Sequence, residues 1–289
     1  MKITEILKRQ SPLISFEFFP PKTDDGFKNL METISSLKKI NPSFVSMTYG
    51  AGGSTRSKTV ELVRLIKNEV GIETLAHLTC VGHSSAELSS ILEELTKANI
   101  ENVLALRGDP PKGQNTFIPT EDGFQFANEL VQFIKKKFNF CIGVAGYPEK
   151  HIESSSAEED IKHLLGKVES GGDFVISQLF FDNKDFFSFS SQLKITGVPV
   201  IAGIMPITDF EQAQRFTAMC GAKIPPHLFQ EMSRYSADKE KIIQIGIEHA
   251  TRQCEELLAS GVSGIHFYTL NKSLSTQEVF RRLKSKGVI

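Results

Sequence analysis

Short apolar runs rich in β-branched and aromatic residues alternate along the chain with longer segments whose apolar residues recur every three or four positions. The short runs are typical of buried strands and the longer segments of amphipathic helices. A helical segment follows each run, so the pattern predicts repeated strand–helix units. The predicted strands are Ile14–Phe18, Phe44–Thr48, Leu75–Thr79, Val103–Arg107, Ile142–Gly146, Phe174–Leu179, Val200–Ile204 and Ile265–Leu270.

Helix boundaries are marked by residues that suit them. The segment after Asp24 breaks at Asn41–Pro42, because proline disfavours a helical conformation in the residue before it. Three stretches have the spacing of a capping box, in which a serine and a glutamate three residues later satisfy the first free amides of a helix. These stretches are Ser84–Glu87, Ser155–Glu158 and Ser275–Glu278.

Eight strand–helix units predict an α/β fold with a parallel sheet. With eight units, closure into a (β/α)8 TIM barrel is favoured over an open doubly wound sheet. The longer interval before the last strand contains Lys223–His227 and predicts an extra short helix. Two smaller α/β domains would need a linker between them. No stretch of the chain is rich enough in Pro, Ser, Gly or charged residues to be one. Residues 1–289 are therefore expected to form a single catalytic barrel domain.

Composition and charge exclude some binding partners and indicate the compartment in which the protein works. Lys plus Arg total 33 and Asp plus Glu total 34, a balance that predicts no binding to nucleic acid or to an anionic membrane surface. Residues 1–10 do not have the pattern of a secretory signal, and no apolar run approaches the ~20 residues of a membrane helix. Widely spaced cysteines predict buried reduced thiols and a cytoplasmic protein. They are Cys80, Cys141, Cys220 and Cys254.

Polar residues cluster at the carboxyl ends of the predicted strands, where barrel enzymes carry their active sites. Glu17 is the central candidate, because it lies in a run of phenylalanines. It could be paired structurally with a cation, or apolar surroundings formed by Phe16, Phe18, Phe19, Phe180 and Phe181 could raise its pKa and keep it available as an acid. Histidines outside the strands are interpreted as solvated or capping residues: His83, His163, His227 and His249.

The sequence gives little support for dinucleotide binding on a glycine-rich loop, for Schiff-base catalysis or for metal-assisted catalysis. Gly50–Gly53 is not a dinucleotide fingerprint, and no predicted strand carries a lysine for a Schiff base. Glu17, His77, Asp109 and His266 could converge on a metal, but no local ligand pair accompanies them, so no metal is predicted. The residues alone therefore indicate a small-molecule barrel enzyme with an acidic, amide-bearing site.

The phrases at the strand ends, taken together, resemble the methylenetetrahydrofolate reductase family. They run in order along nearly the whole chain, and several are six residues or longer. The phrases occupy residues 16–22 (FEFFPPK), 45–55 (VSMTYGAGGST), 77–80 (HLTC), 104–111 (LALRGDPP), 147–151 (YPEKH), 178–182 (QLFFD), 203–207 (GIMPI) and 266–271 (HFYTLN).

The resemblance implies a flavoprotein barrel of the bacterial type, without the large regulatory domain of eukaryotic members. FAD would take hydride from NADH or NADPH and pass it to 5,10-methylenetetrahydrofolate, giving 5-methyltetrahydrofolate for methionine synthesis. The family also includes homo-oligomers. Two other readings stay open at this point: a non-catalytic flavin- or folate-binding subunit, and a metal-dependent barrel lyase.

The resemblance also implies roles for individual residues. Glu17 matches the general acid, and Asp109 matches a carboxylate near flavin and pterin. Substrate-binding positions are matched by Gln178, Phe216 and Lys272. Positions that contact FAD are matched by Thr48, His77, Arg107, Gly108, Asp109, Ala127, Tyr147, His151, Asp160 and Lys167.

Overall fold

Eight parallel strands close into a barrel, as the sequence predicts. The computed structural model describes residues 1–49, 56–110, 113 and 116–289, apart from the side chains of residues 56 and 57. Each strand pairs with the next along the chain, and the last strand pairs with the first. The strands are β1 (Leu13–Phe18), β2 (Phe44–Met47), β3 (Thr74–Thr79), β4 (Asn102–Leu106), β5 (Cys141–Gly146), β6 (Phe174–Ser177), β7 (Val200–Ile204) and β8 (Gly264–Tyr268).

Helices surround the barrel. A π-helix (Ile66–Val70) continues α3, a 3-10 turn (Lys194–Thr196) follows α7, and three helices separate β7 from β8. The α-helices are α1 (Ile3–Arg9), α2 (Asp24–Lys38), α3 (Arg56–Leu65), α4 (Ser85–Lys97), α5 (Ala127–Lys137), α6 (Ala157–Glu169), α7 (Asn183–Leu193), α8 (Phe210–Cys220), α9 (Pro226–Arg234), α10 (Lys239–Ala259) and α11 (Leu274–Ser285).

Alternation along β1 decides what surrounds Glu17. Phe16 and Phe18 point outward into the main core between strands and helices, because successive side chains on a strand face opposite sides. Leu13 points into the barrel, where it packs with the inward residues of neighbouring strands. Glu17 shares that inward side, so its sequence neighbours do not enclose its carboxyl group.

The expected phenylalanine wall around Glu17 is therefore wrong. Phe180, like Phe16 and Phe18, belongs to the outer core, while Phe181 packs with residues of α8 and α9. Phe19 is 42% exposed. These rings stabilise the fold without forming an apolar shell around the carboxyl group.

The capping boxes are confirmed in one case out of three. Ser84 accepts a bond from the Glu87 amide while the Glu87 side chain accepts one from Ser84 N. At α6 the cap is Ser156, which accepts a bond from Glu159 N, so the predicted stretch is one residue early. Ser275 lies inside α11 and caps nothing. Both helices begin within two residues of the predicted position, and helix boundaries are the part of a sequence-based prediction that errs most often.

Helix α1 closes the amino-terminal end of the barrel. Ile3 is fully buried among the inward residues of the strands. The side chain of Asn102, also fully buried, accepts a bond from Ile3 N at 2.8 Å and donates to Thr74 O at 3.2 Å. One amide therefore joins α1 to both β3 and β4.

No helix within the described residues is both long enough and apolar enough to cross a membrane.

Replacing Asn102 should destabilise the fold. Asn102→Leu keeps the branched shape and the number of side-chain heavy atoms but leaves Ile3 N and Thr74 O without this partner, so we expect a loss of about 1–3 kcal/mol in the free energy of unfolding. Urea unfolding followed by circular dichroism measures it. The same change at exposed Asn139 is the control and should stay within about 0.5 kcal/mol of the wild type. Equal stabilities for the two variants would contradict the role of Asn102.

Candidate active site

A cavity of about 440 Å³ opens at the carboxyl end of the barrel. This is the end that the sequence analysis chose for the site, because each βα connection begins there. The cavity is lined by ten of the predicted site residues: Glu17, Thr48, His77, Arg107, Gly108, Asp109, Tyr147, His151, Gln178 and Phe216.

Four predicted residues do not line the cavity. Ala127 begins α5, and Lys272 is exposed in the connection after β8. Asp160 and Lys167 lie on α6, where Asp160 accepts a bond from Ser154 Oγ at 2.9 Å. Lys167 Nζ donates to Ala145 O at 2.6 Å and lies 5.9 Å from the centre of the Tyr147 ring. Since Ala145 and Tyr147 line the cavity, Lys167 sits directly behind its β5 edge.

The Glu17 carboxylate is held inside the barrel by polar groups from β2, β3 and β8. Its Oε2 lies 3.4 Å from His266 Nε2, 3.5 Å from Ser46 Oγ and 3.4 Å from His77 Nε2. On the far side of the His266 ring, Nδ1 lies 2.8 Å from Ser15 Oγ. A continuous polar chain therefore runs from Ser15 through His266 to Glu17, whose side chain is 19% exposed to the cavity.

These partners change the acidity expected for Glu17. Burial raises its pKa, but the hydrogen bond from His266, the charge of the two imidazoles when protonated and the bond from Ser46 together outweigh burial. The pKa of Glu17 therefore lies below its usual value, and the expectation of a raised pKa is wrong. The cause is long-range pairing that no local run of sequence displays.

Two buried polar atoms in the cavity lack hydrogen-bond partners among the described residues. His77 Nε2 lies near Glu17 without hydrogen-bond geometry, and Thr79 Oγ1 is also unpaired. Buried polar groups are nearly always paired in native proteins, so these two atoms can bond with water or with a polar ligand in the cavity. Burial, opposed by the charge of Glu17, lowers the pKa of His77 to about 4.

Arg107 links the connection that follows β4 to the connection that follows β5. Its Nη1 and Nη2 bind the two carboxylate oxygens of Glu153 at 2.5 and 2.7 Å, and its guanidinium lies 5.2 Å from the centre of the Phe117 ring. The bond that Arg107 donates to Glu153 raises the pKa of Arg107. Sequence analysis missed Glu153, because nothing in the local sequence around it marks a partner 46 residues away.

Gly108 brings the β4 connection close to its neighbours. Its φ of 86° lies in the left-handed region, and a Cβ there would lie 2.6 Å from a methyl carbon of Val81. Any other residue would therefore combine backbone strain with a steric clash. Gly108 and the adjoining Asp109 both line the cavity.

The opposite wall, from β6 to β8, is largely apolar. Gln178 Oε1 accepts a bond from Leu179 N at 2.9 Å, and Tyr268 Oη donates to Ser177 O at 2.8 Å. Sequence analysis overlooked the apolar lining, since it searched the strand ends for polar residues. The overlooked apolar lining residues are Val81, Leu104, Leu106, Ala145, Leu179, Met205 and Leu270.

Some sequence interpretations concern histidines and glycines outside this set. His83 and His249 are buried, so reading them as solvated or capping is wrong. His83 Nε2 pairs with Tyr49 Oη at 2.9 Å. Gly50–Gly53 lies outside the described residues. Within the described residues, no group of three potential ligands could hold a metal ion.

The lowered pKa of His77 predicts a loss of stability in mild acid. Below about pH 6.5 the unfolded chain protonates this histidine, whereas the folded protein does not until about pH 4. Stability contributed by the neutral ring should therefore fall as pH drops through that window. Urea unfolding of the wild type and of His77→Asn between pH 7 and pH 4 tests it. The variant should show the shallower decline, and parallel curves would contradict the prediction.

Comparison with known proteins identifies the family. The methylenetetrahydrofolate reductase family model matches residues 2–284. The 5,10-methylenetetrahydrofolate reductase of Escherichia coli K12 is 36% identical over 262 residues, covering 90% of this chain and 86% of that protein. Methylenetetrahydrofolate reductase (NADH) 1 of Arabidopsis thaliana is 38% identical over 295 residues, covering 98% and 50% respectively. The chain thus spans about half the length of this plant relative.

Solved structures support the fold. Oxaloacetate acetylhydrolase, in complex with the inhibitor 3,3-difluorooxalacetate, superposes with a TM-score of 0.54 at 11% identity, covering all of this chain and 86% of that one. At such low identity the likeness concerns the barrel alone. The family match, in contrast, extends over the strand ends that build the cavity, and the chain belongs to the methylenetetrahydrofolate reductase family.

Proposed function

We propose that this protein reduces 5,10-methylenetetrahydrofolate to 5-methyltetrahydrofolate, with NADH or NADPH as the electron donor and FAD as the cofactor. The observation that carries the proposal is the Glu17 carboxyl group at the base of the cavity, in one site with Asp109 and Gln178. Folate reduction needs a proton and a hydride at one substrate. The site offers a protein group that can hold the proton.

The cavity fits a flavin by its unpaired groups and its charges. His77 Nε2 and Thr79 Oγ1 offer hydrogen-bonding capacity to a heteroaromatic ring. Arg107 and Lys167 provide cations at the β5 edge, where a diphosphate would need them. Burial, opposed by Asp160, lowers the pKa of Lys167 to about 8, so this lysine still carries its charge at neutral pH. FAD bound there would supply hydride transfer between the nicotinamide and the folate.

We assign the general-acid role to Glu17. It donates a proton to a nitrogen of the five-membered folate ring, which then opens to an iminium that hydride can reduce. A substrate ring covering the cavity would remove the remaining water from Glu17 and strengthen the effect of burial, which raises its pKa. Protonation of Glu17 is thereby tied to the occupied cavity.

The series of hydrogen bonds from Ser15 through His266 can stabilise Glu17 in both charge states. With Glu17 ionised, His266 Nε2–H donates to the carboxylate and Ser15 donates to Nδ1. With Glu17 protonated, its hydroxyl donates to Nε2, and Nδ1–H donates to Ser15, which can pass a bond to Ile265 O. The imidazole tautomer follows the proton on Glu17.

In this proposal Asp109 stabilises charge on the folate, and Gln178 orients its pterin ring. The Asp109 carboxylate can stabilise the positive charge that develops on the folate during ring opening. The Gln178 carboxamide can orient the pterin, with Phe216 packing against the bound rings and Lys272 available to a glutamate carboxylate of the folate. The methylated product would serve methionine synthesis. The cytoplasmic location and a homo-oligomeric assembly remain predictions.

Purified protein should be yellow, and protein stripped of flavin should take up FAD. Lys167→Ala should weaken FAD binding by about 10-fold or more, because the positive charge directly behind the β5 edge, where the diphosphate would lie, is lost. The quenching of flavin fluorescence on titration measures the affinity. Lys162→Ala, at an exposed position of the same helix, is the control and should bind as the wild type does. Protein that takes up no FAD would contradict the cofactor assignment.

Glu17→Gln should separate the two half-reactions. The amide keeps the size of the side chain but cannot donate a carboxylic proton, so folate reduction should fall by about 100-fold or more. Flavin content and oxidation of NADH should stay near the wild-type values. Stopped-flow spectroscopy of each half-reaction measures both, with Glu231→Gln at an exposed position of α9 as the control. Equal loss of both half-reactions would remove Glu17 from the acid role.

A further inference from the structure

The connection between β6 and α7 carries part of the cavity wall. Residues 178–182 leave the sheet after Ser177, and both Gln178 and Leu179 line the cavity. Two bonds fix its beginning, from Gln178 N to Gly146 O at 2.7 Å and from Leu179 N to Gln178 Oε1 at 2.9 Å. Irregular backbone of this kind needs partners for its remaining polar groups.

Helix α10 supplies those partners from outside the barrel. His249 Nε2 donates to Phe181 O at 3.0 Å, and Gln253 Nε2 donates to Phe180 O at 3.3 Å. Both donors are buried, with 8% and 5% of their surface exposed. They stand four residues apart, so they lie on the same face of the helix.

The start of α7 is bound to the same helix. Asn183 Nδ2 donates to Gln253 O at 3.1 Å and to Glu256 Oε2 at 2.7 Å. Asn183 Oδ1 accepts a bond from Gln253 Nε2 at 3.3 Å. Residues 178–182 are therefore held at their carboxyl end as well as along their carbonyl groups.

One helical turn before His249, α10 packs closely against the connection that follows β7. A Cβ at Gly246 would lie 1.9 Å from the Ile207 carbonyl oxygen, so only glycine allows this approach. Met205, two residues before Ile207, lines the cavity. Gly246, His249 and Gln253 thus form one face of α10, here called the α10 stripe, which contacts two connections of the cavity wall.

We propose that the α10 stripe positions Gln178, and so sets the orientation of the substrate in the cavity without touching it. His249 and Gln253 are positioning residues that act through the carbonyl groups of Phe181 and Phe180. The inference rests on the proposed function only for the identity of the substrate.

His249 is suited to a fixed bond. Its acceptor is a carbonyl oxygen, so the hydrogen must lie on Nε2. Burial lowers the pKa of His249 to about 4, against the opposing bond to Phe181 O, so the ring stays neutral near pH 7. The bond to Phe181 O therefore does not depend on a change of charge in that range.

The first test needs neither ligand nor activity. His249→Phe keeps a ring but removes the donor, and amide hydrogen exchange in residues 178–182 should rise about 3- to 10-fold, the loss of one hydrogen bond. His249→Gln, which restores an amide donor, should recover protection. His163→Phe is the matched control at an exposed helical histidine and should leave exchange unchanged. Unchanged exchange in His249→Phe would overturn the proposal.

The second test asks whether the effect passes through Gln178. His249→Phe should raise KM for methylenetetrahydrofolate about 10-fold, while the same change in a Gln178→Ala background should alter KM less than about twofold. Additive effects in the double variant would overturn the positioning role. Gln253→Met removes the neighbouring donor and should repeat the pattern if His249→Phe does not fold.

The two tests separate this inference from the proposed function. If the chain reduces no folate but exchange in residues 178–182 still responds to His249→Phe, the contact through α10 stands and the substrate assignment fails. If folate is reduced and exchange does not respond, the proposed function stands and the role of the α10 stripe fails.

Discussion

The contact between Glu17 of β1 and His266 of β8 is the interaction on which the site depends. The two residues are 249 positions apart, and they meet at 3.4 Å only because the first and last strands pair and close the barrel. Closure also places Ser15 beside His266. The inward carboxyl group of Glu17 is thus tolerated, since a buried charge needs partners and the neighbouring strands supply them through His266, Ser46 and His77.

The rest of the cavity divides into two sides around that carboxyl group. Cations and unpaired polar atoms lie towards β3, β4 and β5, where Arg107 and His77 stand. Towards β6, β7 and β8, apolar side chains predominate beside Gln178, while Val81, Leu104 and Leu106 add some apolar surface to the first side. Such a division suits a polar cofactor on one side and a flat organic substrate against the other. Helix α10 stiffens the second side from behind, through groups that do not reach the cavity.

Much of the fold follows from local sequence, because strand runs and helix periodicity are local properties. The strand-end rule for barrels predicts at which end the site lies, and the family resemblance supplies the individual residues, ten of which line one cavity. What sequence could not supply depends on long-range pairing. The lowered pKa of Glu17 comes from residues on other strands, the Arg107–Glu153 pair joins two connections, and His249 is buried by a connection 68 positions away. The phenylalanines next to Glu17 in the sequence suggested a raised pKa, but strand alternation turns Phe16 and Phe18 outward, away from its carboxyl group.

One measurement tests the central claim most directly: anaerobic stopped-flow spectroscopy of the FAD-loaded wild-type protein in two mixing steps. NADH or NADPH should first bleach the flavin absorbance, and the faster of the two identifies the donor. Methylenetetrahydrofolate added next should restore the absorbance and yield one 5-methyltetrahydrofolate per flavin. Flavin that stays reduced after folate is added would contradict a folate reductase built around Glu17.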